Sequence, residues 1–232
     1  MELRAHKLSV RREVRFVLRD VDCTLPPGGR VLILGRSGAG KTTLLKALAG
    51  LVTPASGQLF WDTEDVAALG PARKRARQAA FGLVFQTDAL FDSMTVRRNV
   101  LLPLERRHVP REEAEARADE VLRAVGLAEA ADTMPERLSG GMRKRAGLAR
   151  ALAASPSVLL ADDPLAGLDP GTARQVARVL LEVSGGGSLI VAAPEVPPEL
   201  SLSRWLCLRE GRLVYDGPPT REVETLADGA LG

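Results

Sequence analysis

Two cysteines, Cys23 and Cys207, stand far apart in a chain of 232 residues. Such spacing implies no disulfide framework, and both thiols read as small buried hydrophobes. Aromatic residues make up only 3% of the chain, which counts against a base-stacking platform for nucleic acid. Charge excess is equally slight: the formal net charge is +3, with basic residues spread beside acidic ones, so nucleic acid is not an expected partner. No apolar run approaches the roughly 20 residues that cross a bilayer. The start, Met1-Glu2-Leu3-Arg4-Ala5-His6-Lys7, has no apolar stretch of the kind a signal peptide needs. The expectation is a cytoplasmic protein whose membrane role runs through a partner. There is no internal repeat and no low-complexity linker. Hydrophobic residues make up 45% of the chain, enough for a core.

That core has a legible pattern. Short apolar runs recur at Arg30–Gly35, Phe81–Phe85, Val158–Ala161 and Leu189–Ala193, none alternating with polar residues. Runs of this kind suit central strands buried on both faces, and the helical segments between them predict a parallel sheet covered by helices. Leu3 to Leu25 reads as strands with a turn near Arg11 to Glu13, and Trp205 to Tyr215 reads as a hairpin around Glu210-Gly211. Leu90 to Ala154 is helix-rich, with a helix over Arg111 to Val125 stopped by Gly126. It reads as a helical lobe inserted between two core strands.

Two stretches carry chemistry. Gly35-Arg36-Ser37-Gly38-Ala39-Gly40-Lys41-Thr42 fits G-x-x-x-x-G-K-[ST] with a strand before it and a helix after it. Glycines let the backbone curl its N–H groups toward phosphate oxygens, and the helix adds its positive N-terminal end. Lys41 is expected to reach the β- and γ-phosphates, and the Thr42 hydroxyl to ligate Mg²⁺. Val158-Leu159-Leu160-Ala161-Asp162-Asp163 is an apolar strand ending in two acids, at the end where parallel sheets bind ligands. Asp162 is the expected Mg²⁺ ligand and Asp163 the expected general base for an attacking water.

Leu138-Ser139-Gly140-Gly141-Met142 lies between these two and resembles the signature motif of the ABC ATPases. Ser139 also reads as a helix N-cap. Gln86 resembles that family's Q-loop glutamine, and Leu165-Ala166-Gly167-Leu168-Asp169 its D-loop. The resemblance runs from about Leu3 to Gly217. It implies a P-loop NTPase (RecA-like) α/β core with an N-terminal antiparallel β region and an inserted helical lobe. The core would span about 1–87 and 156–232, and the lobe about 88–155. It also implies ATP and Mg²⁺ as ligands and a head-to-tail pair of chains. Ser139, Gly140 and Gly141 of one chain, with Asp169 nearby, would close over ATP held by Gly35 to Thr42, with Thr43, of the other. By the same resemblance Thr42, Gln86 and Asp162 attend Mg²⁺, and Asp163, Lys41 and Gln86 carry hydrolysis. A transmembrane permease would dock near Gln86–Val96, leaving the chain peripheral on the inner face of the plasma membrane.

Three positions depart from the family. The base is usually Glu; Asp163 is shorter by roughly 1.5 Å, and a misplacement of about 1 Å can cost on the order of 100-fold in rate. A His usually follows the last core strand, where Pro194 stands, and the only histidines are His6 and His108. The adenine-stacking aromatic is replaced by the region of Arg11, Arg12 and Val14, where the Arg12 guanidinium could stack instead. These departures make a hydrolysis-impaired, nucleotide-gated regulatory subunit the rival to an active motor. Phe85 to Val96, followed by Asn99-Val100, and Met142 resemble the ATPases of the Mce-associated lipid-asymmetry systems, which implies phospholipid as cargo. The alternatives are lipoprotein, amino acid or hydrophobic compound.

Overall fold

The four apolar runs are neighbouring strands of one sheet. Its members are β3 (Arg30–Leu34), β6 (Phe81–Val84), β7 (Val158–Asp162), β8 (Ser188–Ala193), β9 (Arg204–Arg209) and β10 (Arg212–Gly217). They stand in the order β10-β9-β3-β8-β7-β6. All pairs are parallel except the β9–β10 hairpin. Every residue of β7 and β8 is buried, the outcome expected for strands covered on both faces. In this computed structural model residues 1–85, 90–183 and 186–223 are described.

Strand alternation divides the core in two. Val31 and Ile33 of β3 face one cluster, with Leu160 and Ile190; Leu32 and Leu34 face the other, with Leu159 and Val191. The first cluster is closed by helix α1 (Lys41–Leu48) and by an antiparallel sheet of order β2-β1-β4-β5. That sheet comprises β1 (Leu3–Arg12), β2 (Arg15–Leu25), β4 (Ser56–Trp61) and β5 (Glu64–Asp65). The second cluster continues into the helix-rich segment, through Val100 and Leu104 of α3 (Val96–Arg106), Val121 and Leu122 of α4 (Arg111–Ala124) and Leu148 and Leu152 of α5 (Gly140–Ala153). Helix α6 (Pro170–Val183) covers the same face through Val176 and Leu180. The apolar interior of the helical segment is thus continuous with the sheet.

The predicted helix stop stands where expected, α4 ending before Gly126, which has φ +67°; α1 ends in the same way before Gly50, with φ +66°. A Cβ at Gly50 would come within 2.8 Å of the Trp61 ring, so glycine also serves close packing there. Both thiols are buried and free. Helix α2 (Pro71–Gln78) has no counterpart among the sequence expectations. It buries no residue, so it has no apolar stripe to betray its period. Ion pairs from Arg77 to Asp62 and Glu64, and bonds from the Gln78 amide to the Ala49 and Gly50 carbonyls, hold it in place. Among the described residues no helix is long and apolar enough to cross a membrane.

Candidate functional site

Strand β3 delivers the chain to a loop, residues 35–40, whose glycines take up conformations other residues resist: φ is +151° at Gly35, +83° at Gly38 and +105° at Gly40. Two of them are also fixed by space. A Cβ at Gly35 would lie 2.3 Å from the Leu208 carbonyl oxygen, and one at Gly40 2.9 Å from that of Val17. Ala39 is buried, and its N–H closes a turn onto the Arg36 carbonyl at 3.1 Å. Helix α1 begins at Lys41 with no side chain capping its N-terminus, which leaves that end to a ligand. Leu44, Leu45 and Leu48 anchor it to the sheet. The Lys41 Nζ donates to the Gly35 and Arg36 carbonyls at 2.5 and 3.2 Å, bridging the loop from within. Burial lowers the Lys41 pKa, against the pull of Asp162 and Asp163.

Asp162 ends β7 almost buried and accepts a 2.6 Å bond from Thr42 Oγ1. A buried carboxylate beside a hydroxyl is a hard-oxygen set that suits Mg²⁺. Asp163 follows in the left-handed region, at φ +49°, with its N–H bonded to the Ala192 carbonyl at 2.7 Å. Burial raises its carboxyl above the usual range. An open cleft of about 380 Å³ lies between these groups; Ser37, Gly38, Thr43, Asp163 and Pro194 are on its walls. Pro194 therefore stands where the resemblance placed a histidine. Val17 of β2 lines the cleft too, and no feature of the sequence singled it out.

Other expected site residues lie apart from this cleft. Ser139 caps α5, its Oγ accepting from the Met142 N–H at 3.3 Å, and Gly140 and Gly141 form the first turn. Asp169 Oδ1 accepts the N–H groups of Gly171 and Thr172, both at 3.0 Å, at the start of α6. The Thr172 hydroxyl, with those N–H groups, holds its carboxyl below the usual range. A Cβ on Gly141 would sit 3.4 Å from Leu168, so the two motifs are neighbours. Arg12 ends β1 opposite Arg15 at the hairpin tip and is not among the residues lining the cleft. Gln86 lies outside the described residues. Asn99, offered by the sequence only as part of a family resemblance, organises the chain from Phe91 to Thr95. The fully buried Asn99 accepts from the Phe91 N–H at 2.8 Å, and donates to the carbonyls of Phe91, Met94 and Thr95 at 3.1, 3.0 and 3.0 Å.

Fold and cleft together define a P-loop nucleotide-binding cassette. A family profile described as ABC transporter matches residues 18–166. The methionine import ATP-binding protein MetN of Corynebacterium jeikeium is 39% identical over 203 residues, covering 86% of this chain and 55% of that protein. MetN 1 of Rhodococcus jostii is 39% identical over 217 residues, covering 91% and 63%. The phosphonates import ATP-binding protein PhnC of Chromohalobacter salexigens is 40% identical over 221 residues, covering 90% and 81%. The chain thus spans 55% to 63% of the length of those two methionine-import relatives. The dimeric post-hydrolysis structure of the ATP-binding cassette MJ0796, bound to ADP and Pi, superposes with a TM-score of 0.85 at 27% identity, covering 93% of this chain and 98% of that one. The chain belongs to the ABC transporter family.

Proposed function

We propose that this cassette drives a membrane transporter, binding and hydrolysing ATP as one of a pair and docking on a permease through the region of Gln86–Val96. The observation that carries this reading is the convergence of Lys41, Thr42, Asp162 and Asp163 on one cleft. In it the loop amides and Lys41 grip the triphosphate, Thr42 and Asp162 hold Mg²⁺ with Gln86, and Asp163 accepts the proton of the attacking water. Ser139, Gly140 and Gly141, exposed or half-exposed at a capped helix start, close over the partner's nucleotide, and Asp169 stands beside them. Pairing is supported by the similar cassette MJ0796, whose post-hydrolysis state is dimeric. We place the chain at the cytoplasmic face of the inner membrane, with its core over about 1–87 and 156–232 and its lobe over about 88–155.

For cargo, the relatives' names favour a small imported solute, methionine or phosphonate among them. The phospholipid cargo implied by Phe85 to Val96 and Met142 has no counterpart in those names. Affinity-purified complex should contain one permease type, and uptake of labelled methionine into cells that carry the complex separates the two cargo classes. ATP binding is tested by titrating a fluorescent ATP analogue with Mg²⁺. Lys41→Ala should weaken binding at least tenfold, a loss of about 1.4 kcal/mol; unchanged affinity would remove the basis of the reading.

A second reading, a clamp that pairs on ATP but turns over slowly, is favoured by the short Asp163 and by Pro194 on the cleft wall. Single-turnover hydrolysis by the complex separates the two. Asp163→Asn should abolish turnover, while Asp163→Glu should raise it by restoring reach.

A further inference from the structure

Lys144 lies in the second turn of α5, downstream of the Ser139 cap. Its side chain is part-buried, and its Nζ donates to two backbone carbonyls, that of Asp163 at 3.3 Å and that of Ala166. These carbonyls bracket the tight turn after β7, which is itself closed by the Ala166 N–H bonding to the Asp163 carbonyl at 3.3 Å. On its other flank the turn is tied to β8 by the Asp163 N–H. The turn needs such bracing, because Asp163 is a non-glycine residue held in the left-handed region. Lys144, Phe85 and Pro164 line one small cavity beside this turn. One ammonium thus joins the helix that opens with the signature to the turn that aims the acid.

We propose that Lys144 is a positioning residue for hydrolysis, a strut from α5 that fixes the backbone of the Asp163 turn and so the direction in which that carboxylate faces the cleft. The proposal rests on the assignment of Asp163 as the base. An ammonium donates along several directions at once, so it can hold two carbonyls that one neutral donor would not. Both of these bonds run to the turn after β7, so nucleotide binding and turnover should part company when the strut is removed.

The full chain is assayed in single-turnover hydrolysis with enzyme in excess, beside equilibrium titration of a fluorescent ATP analogue and thermal melting. Lys144→Met keeps the length and removes the donors; the hydrolytic rate should fall about tenfold or more, with ATP affinity within about twofold of the parent. Lys144→Arg, which also donates to two acceptors, should recover most of the rate. A Lys144→Met rate within twofold of the parent overturns the proposal. So does a parallel loss of rate, affinity and melting temperature that arginine does not repair, the pattern of a mere packing brace. If Lys144→Met does not fold, Lys144→Leu, which also lacks any donor, takes its place under the same two criteria. A parent chain that binds Mg²⁺ and ATP but shows the same rate as its Asp163→Asn variant overturns the base assignment and the proposal with it. A strut failure alone leaves the Asp163→Asn loss intact.

Discussion

A single hydroxyl joins the two halves of the cleft: Thr42 Oγ1, on α1, donates to Asp162, on β7, at 2.6 Å. The same pair forms the proposed Mg²⁺ ligand set, whose oxygens the bond would hold side by side. Thr42→Ala should lower Mg²⁺-dependent ATP affinity by roughly tenfold or more, while Thr42→Ser keeps it; titrations with and without Mg²⁺ give the difference. The thiols make a second test at this scale. Burial pushes Cys23 up to about 12 and also raises Cys207. A raised thiol pKa keeps the proton on as pH climbs, so near pH 8 the Cys23 thiolate fraction is on the order of 10⁻⁴. A disulfide reagent at pH 8 should find neither thiol in the native protein and both after denaturation. Rapid labelling of the native chain would contradict the burial.

Among the elements, the strands were the most legible in the sequence and the shortest pieces the least. Apolar runs at Arg30–Leu34, Val158–Asp162 and Ser188–Ala193 announce themselves because both faces are covered, so no polar residue interrupts them. The loop at Gly35–Gly40 was legible for a different reason: its backbone conformations and close approaches admit little but glycine. By contrast α2 has no buried face, and β5 is two residues long. Val17 and the structural roles of Asn99 and Lys144 were not legible, because they come from segments distant in sequence or from backbone carbonyls, which leave no side-chain pattern to read. Asn99 is the sharpest case. Its amide organises the chain from Phe91 to Thr95 ahead of α3, so Asn99→Ala would strand buried polar groups at a cost of about 2–4 kcal/mol. A drop in melting temperature with ATP affinity retained is the expected outcome. Ser139→Ala removes the cap of α5 and should cost ~1 kcal/mol.

Across the whole molecule, the sheet's second face and the helical segment share one apolar cluster, so the two should unfold together. The proposed pairing is tested at this scale too. With Asp163→Asn blocking turnover, Mg²⁺ and ATP should convert monomer to dimer in light scattering, and Ser139→Arg, which places bulk and charge at the exposed helix start, should prevent it.

The chain has only two tryptophans, and the sheet separates them. Trp61 is fully buried on the side closed by α1, its ring 5.3 Å from that of Phe81 and its indole N–H bonded to the Leu48 carbonyl at 2.9 Å. Trp205 is buried on the opposite side, among the residues that continue into the helices. Each half of the interior therefore carries its own intrinsic fluorophore. With Trp205→Phe the remaining emission reports the layer beneath the phosphate-loop helix, and with Trp61→Phe it reports the layer that reaches the signature helix. Nucleotide-driven changes in the two layers can then be timed separately, with no dye attached.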